Sequence, residues 1–362
     1  MHRLTAAILI VLALLLVALA AAFRFLEPVA NEPPPPPVPG QPGVLTENIL
    51  YASGLAFGAL GNFDAARRNF ELIRENDPSS PLGYGLAGLT FVAEGQLDQA
   101  LFWMGEAQAL GPQDVESGAW MVALYDCLED YDSAASWSEW LDTRITNQAL
   151  PMAMQASHHY LTGSFEIALQ YSNLALKFKL PARLNSDAIF MRIQRDAALA
   201  AGDPESGIRV FAERHPGLFQ AAPVITSGNI GQATDLALLL KMAGRSGDAQ
   251  RLLEAVLTAY DQPGFTSTLF ATGLLPVRAE ALAILGDQTA ALAELRRVID
   301  RGWRFQWRWK TDLNANFNGV RQTAAFRGMV DELENDMARQ RHRIQNLAIR
   351  SAVPQPPDAS AE

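Results

Sequence analysis

The sequence predicts an all-α protein: a solenoid of about seven helical hairpins, closed by a C-terminal capping helix and preceded by one N-terminal transmembrane helix. Three observations carry this. Ala66, Ala100, Ala134 and Ala168 stand 34 residues apart, and a fixed period of that length signals stacked helical pairs. Each of these alanines follows a turn motif, as in Gly61-Asn62-Phe63-Asp64-Ala65-Ala66, Gly95-Gln96-Leu97-Asp98-Gln99-Ala100 and Gly163-Ser164-Phe165-Glu166-Ile167-Ala168. Finally, Leu4 to Phe23 is free of charge, and its twenty residues at 1.5 Å rise span about 30 Å, the thickness of a bilayer core.

Taken in order, Met1-His2-Arg3 is a short basic lead, and Arg24 closes the apolar run. A cleaved signal peptide has a shorter apolar region that ends in small residues. Ala18-Leu19-Ala20 and Ala20-Ala21-Ala22 offer such sites, but the length of the run favours an uncleaved anchor within residues 1–26. The very short basic tail places the N-terminus in the cytoplasm and the repeats across the membrane. Residues 27–43 hold Pro28, Pro33 to Pro37, Pro39 and Pro42. That composition forbids helix and sheet and predicts an extended tether.

Residues 44–182 hold four regular units. The first carries Gly54, Phe57, Gly61, Ala66, Phe70 and Pro78; the second repeats it with Gly88, Phe91, Gly95, Ala100, Met104 and Pro112. Gly and Ala stand where helix axes must approach closely, and proline ends each second helix. The third unit has Val122 and Glu129 in place of glycine, and the fourth keeps Gly163, Phe165, Ala168 and Pro181. Residues 183–301 hold three irregular units, with turn glycines Gly202, Gly244 and Gly286 spaced 42 residues apart. Residues 302–350 form an aromatic cap, and a final amphipathic helix from Phe326 to Ala348 places Met329, Leu333, Met337 and Ile344 on one side. Residues 351–362 are a disordered tail.

These units resemble the tetratricopeptide repeat (TPR), a 34-residue helix–turn–helix with small residues and aromatics at the same offsets. Together with the Gly302-Trp303 ending, they are similar to the sensor-side TPR regions of bacterial membrane-bound winged-helix regulators. Those proteins carry a DNA-binding domain ahead of the span, whereas three residues precede it here, so DNA binding is not carried over.

Composition narrows the function. The formal net charge is -10, and only four of the 29 basic residues are lysine, so a phosphate-neutralising face for nucleic acid is not expected. One cysteine, Cys127, excludes an internal disulfide and reads as a small apolar helix residue. His158 and His159 are adjacent, and neighbours on a helix diverge too far to grip one metal. His159 falls at the packing position of Phe57, Phe91 and Tyr125. The acidic turn of Asp126, Glu129, Asp130 and Asp132 lacks the glycine of a calcium loop and reads as solvated. Trp103 and Trp137 are repeat-face residues, and Arg304 to Lys310 caps the last repeat. No phosphate-cradling glycine loop or nucleophile motif is present, so no catalytic residue, metal or cofactor is expected.

Function then falls to the concave face lined by first helices. Counting from each repeat start, that face exposes Tyr51, Leu55, Leu89, Val92, Asp126, Ser157 and Tyr160. With no lysine before Lys177, an apolar or extended peptide fits it better than an acidic tail; alternatively, the chain's own termini fill it. The expectation is a non-enzymatic, single-pass scaffold of the bacterial inner membrane whose periplasmic repeats bind a partner protein. The alternatives are a sensor acting through its span on a separate regulator, and a cleaved form soluble in the periplasm.

Overall fold

A computed structural model describes residues 42–144, 148–178, 186–262, 265 and 276–344. Among these residues the fold is all-α, with seven consecutive helical pairs. The pairs are α1 (Pro42–Ala59) with α2 (Phe63–Asn76), α3 (Leu82–Glu94) with α4 (Leu97–Leu110), and α5 (Val115–Cys127) with α6 (Tyr131–Asp142). Next come α7 (Ala149–Leu161) with α8 (Phe165–Phe178), α9 (Ser186–Ala200) with α10 (Pro204–Arg214), and α11 (Ile230–Met242) with α12 (Ser246–Tyr260). The last pair is α13 (Val277–Leu285) with α14 (Gln288–Asp300), followed by a single turn α15 (Trp307–Lys310) and a long helix α16 (Ala324–Ile344). The expected apolar span, the tether up to residue 41 and the tail lie outside the described residues. No described helix is long and apolar enough to cross a membrane. The expected tether ends early, because Pro42 opens α1; its missing N–H falls where a helix has no acceptor to offer.

The 34-residue register is visible in the helix starts, Phe63, Leu97, Tyr131 and Phe165. Ala66, Ala100, Ala134 and Ala168 are each fully buried, at the point where a second helix crosses its first. Glycine does the same work from the opposite side. A Cβ on Gly54 would lie 2.3 Å from the Phe70 ring, and one on Gly88 would lie 3.1 Å from Met104. Between the helices of each pair the chain takes one left-handed residue, glycine at 61, 95, 163, 202, 244 and 286 but Glu129 in the third pair. The residue that follows is an asparagine or aspartate in four pairs: Asn62, Asp130, Asp203 and Asp287 each accept from the N–H three residues on. Such caps are worth about 1 kcal/mol each.

Each second helix packs on the first helix of the next pair. From the third pair onward the first helices also touch one another, α5 on α7, α7 on α9, α9 on α11 and α11 on α13, and no contact of that extent joins successive second helices. The array therefore curves with its first helices inside. One core runs from Val92 to Ile193 and takes in the C-terminal residues, a second fills the pairs from α9 to α13, and a small third cluster surrounds Phe70 in the first two pairs.

The segment after α14 departs from expectation. Residues 304–310 do not cap the last repeat. They turn back at Gly302 and run along the inner face, so that residues 302–344 form a strap reaching the second pair. α16 buries Phe326, Met329, Leu333 and Met337 as its pattern predicts; the expected continuation to Ala348 lies outside the described residues.

The strap crosses the second pair at a backbone contact that tolerates no side chain. A Cβ on Gly95 would stand 2.0 Å from the Gly302 carbonyl oxygen, whereas one on Gly163, with a similar positive φ, would meet nothing within 4 Å. Gly163→Ala is expected to lower stability by about 1 kcal/mol through left-handed strain alone. Gly95→Ala is expected to lower it by roughly 3 kcal/mol, strain plus overpacking. Paired denaturant unfolding curves check this, and equal losses would mean that the strap does not cross there.

Candidate functional site

The inner face is built from the first helices and largely filled by the strap. Trp303, Phe305, Trp307 and Trp309 are all buried. Phe305 lies against Trp120 of α5 with ring centroids 5.4 Å apart, and Trp309 lies against Tyr160 of α7 at 5.7 Å. Gln306 takes a left-handed φ of 55°, which turns its backbone N–H onto the Cys127 sulfur at 3.1 Å; the Trp307 indole N–H donates to the Cys127 carbonyl at 2.9 Å. Burial pushes the Cys127 thiol up to about 12, so it is held as an inert neutral acceptor. Glu129, the left-handed residue without a glycine, accepts from Arg308 Nε at 2.6 Å.

At the far end α16 completes a helix cap. Gln96 makes no side-chain cap bond to α4. Gln340 Oε1 instead accepts from the N–H groups of Leu97 (2.6 Å) and Asp98 (3.2 Å), and its Nε2 donates to the Gly95 carbonyl at 2.7 Å. Arg343 Nε reaches Asp98 at 2.6 Å, and Arg341 donates to the Leu128 carbonyl at 2.6 Å.

Behind the strap lies a buried charge cluster that sequence reasoning missed. Arg192 of α9 donates to Asp235 of α11 at 3.1 Å and to Glu280 of α13 at 2.7 Å. Arg195 pairs with Asp235 and with its neighbour Asp196, and donates to Asn314 and Asn316 of the strap. Asn316 donates in turn to Asp235 (2.9 Å) and Glu280 (2.7 Å). Burial alone would raise Asp235, but the guanidiniums of Arg192 and Arg195 overcome it and hold the carboxyl below its ordinary value. Asp196 goes the other way: burial outweighs the attraction of Arg195 and raises it. Burial, aided by Arg192, pushes Lys310 down to about 8. The cluster ties three successive first helices to the strap. Its members sit at inward positions of α9, α11 and α13, a coincidence that becomes visible only once the pairs are stacked.

The seven predicted groove residues divide accordingly. Tyr51 and Leu55 are half-buried on α1 and Leu89 is half-buried on α3. Tyr51 and Leu55 pack on the Phe70 cluster, and Leu89 packs both on that cluster and on the main core that holds the strap's tryptophans. Tyr160 is taken up by the strap through Trp309, and its hydroxyl donates to Asp196 at 2.9 Å. The expectation that Val92, Asp126 and Ser157 line an open groove is corrected, because all three are buried. Val92 belongs to the main core. Asp126 Oδ1 lies 2.8 Å from His158 Nδ1, a bond between two touching first helices, and α7 is buried throughout from Ala149 to His158. The acidic turn is not solvated either: Asp130 caps α6 and Glu129 anchors the strap, leaving Asp132 exposed. His159 stacks on Tyr171 at 5.8 Å, a packing role.

An open cleft of about 470 Å³ lies beside the strap, lined by Glu129, Tyr131, Leu161, Arg308, Leu313 and Arg341. Arg308 is already neutralised by Glu129 and Glu334, so the cleft offers little free charge. Among the described residues no group of three or more His, Cys, Asp or Glu side chains is placed to hold a metal ion.

The Lys310 ammonium gives the cluster a pH signature. An unfolded lysine titrates near 10.5 and this one near 8. Between those values the unfolded chain binds a proton that the folded chain has released, so stability rises with pH through that window. Below about 8 the penalty for the buried charge is fully present. Lys310→Met is therefore expected to be the more stable protein at pH 7, with an advantage that shrinks by on the order of 2 kcal/mol by pH 10. Urea unfolding of both proteins at the two pH values measures the change; a constant difference would refute the assignment. Compared with known proteins, the chain matches no family model and no curated protein.

Proposed function

We propose that this chain is a non-enzymatic scaffold of tetratricopeptide type in the bacterial cell envelope, held to the membrane by Leu4 to Phe23. Its docking site for an extended segment of a partner protein is the inner face of the first two pairs. One observation carries the reading: the strap's aromatics lie on the first helices of the third and fourth pairs, and the apolar first-helix residues Tyr51, Leu55 and Leu89 of the first two pairs are only half covered. Seven pairs in series, with a 34-residue register in the first four, support a binding surface rather than a reaction centre. The only acidic residue of α1 is Glu47, and α1 has no lysine or arginine, which suits an apolar segment better than a charged one.

The test uses full-length protein in membranes, cross-linked and recovered with what it holds. Tyr51→Glu with Leu55→Glu is expected to reduce capture of a specific envelope protein at least tenfold while the circular dichroism spectrum is unchanged. Capture that survives in the folded double variant would place docking elsewhere, and recovery of no specific protein from wild type would count against the scaffold reading.

A further inference from the structure

The first helices of the first two pairs leave a groove that the array closes further on. From the third pair onward each first helix packs on the next, but no contact of that extent joins α1 to α3. Leu50, Tyr51 and Leu55 of α1 and Leu89 of α3 all pack on the Phe70 cluster between the two helices, and none of the four is fully buried. Glu47, Tyr51 and Leu55 stand four residues apart and so share one side of α1. Glu47 is the only charged residue of that helix.

The strap delivers the chain to this groove. Along α16 the partners move from Arg296 of α14, which donates to Glu332, to the start of α4, where Gln340 accepts from Leu97 and Arg343 donates to Asp98. Ile344, the last described residue, packs on the same core as Leu89. The sequence then continues Gln345-Asn346-Leu347-Ala348-Ile349-Arg350-Ser351-Ala352-Val353-Pro354, outside the described residues. One interhelical step of about 8–10 Å separates α4 from α3, and nine residues reach about 30 Å when extended, enough to pass α3 and lie in the groove. The chemistry matches. Leu347, Ile349 and Val353 are apolar, and the one charge among residues 345–353, Arg350, is opposite in sign to Glu47. The N-terminal residues 27–41 are a poorer occupant, since their only charges are Glu27 and Glu32. We propose that residues 347–353 of the same chain occupy this groove and keep a partner's segment out until it displaces them. The inference rests on the docking site proposed above and adds its regulation. Tethering holds the occupant at an effective concentration on the order of 1 mM, so an external segment of equal affinity competes poorly.

The experiment takes the full-length chain in detergent and a labelled synthetic peptide of residues 345–357, with binding read by fluorescence anisotropy. Leu347→Glu with Ile349→Glu in the chain is expected to empty the groove and to bind the peptide at least tenfold more tightly than wild type. A peptide carrying the same two glutamates is expected not to bind. Adding Tyr51→Glu and Leu55→Glu to that chain is expected to abolish binding of the unaltered peptide. Equal binding by wild type and the tail variant, or none by either, would overturn the proposal, as would binding that survives in the folded groove variant. Should the groove variant fail to fold, wild type and the tail variant, each with both peptides, decide alone. Capture of the envelope partner is read separately and is expected to rise at least tenfold in the tail variant. Unchanged capture beside tighter peptide binding would overturn the docking site while leaving the tail in the groove. Capture lost in the Tyr51→Glu, Leu55→Glu variant, with no difference in peptide binding, would overturn the tail alone.

Discussion

Asp235 sits between Arg192 and Arg195 where water does not reach, and the C-terminal half of the molecule depends on that arrangement. Two guanidiniums buried in a helical layer require carboxylates at hydrogen-bond distance, because an unpaired buried charge costs several kcal/mol. α11 and α13 supply Asp235 and Glu280, and Asn314 and Asn316 of the strap add amide bonds to the same charged groups. The cluster therefore holds three pairs in register and fixes where the strap must lie. A uniformly apolar layer would have offered no such register, since apolar contact is non-directional.

Once the strap is placed, several departures from the repeat pattern acquire a cause. Glu129 occupies a position that the other pairs give to glycine, and accepts left-handed strain on the order of 1–2 kcal/mol. Its carboxylate anchors Arg308 in exchange. Gln96 fails to cap α4 because Gln340 does so from the other end of the chain. Gly95 and Gly302 face each other because the two backbones pass without room for a methyl group. Each is a local irregularity that serves one long-range contact.

What was legible in the sequence follows from this. The period of 34, the turn glycines and the spacing of the later pairs are local signals, repeated often enough to read, and the seven pairs fall where those signals put them. The buried faces of α16 were equally readable, because helical periodicity needs no knowledge of the partner. The path of the strap was not. Trp307 and Trp309 look alike whether they cover the last repeat or the groove, and the difference lies in partners about 150 to 180 residues away, such as Cys127 and Tyr160. The predicted groove suffered for the same reason. Counting offsets identified first-helix residues, but Asp126 meets His158 because neighbouring first helices touch there, which no offset within one repeat encodes.

The strap also redistributes what surface remains for interaction. A strap that contributes fully buried tryptophans to the main core is part of the fold, and its release would expose a large apolar area at about 25 cal/mol per Å². A partner competing for that stretch of the inner face would have to supply an equal area. The first pair carries no such debt. α1 is apolar on both its inner side, at Tyr51 and Leu55, and its outer side, at Ile49 and Leu60. Among the described residues it is the first helix, and so the apolar surface that the strap leaves open lies at the end of the repeats nearest the N-terminal apolar run.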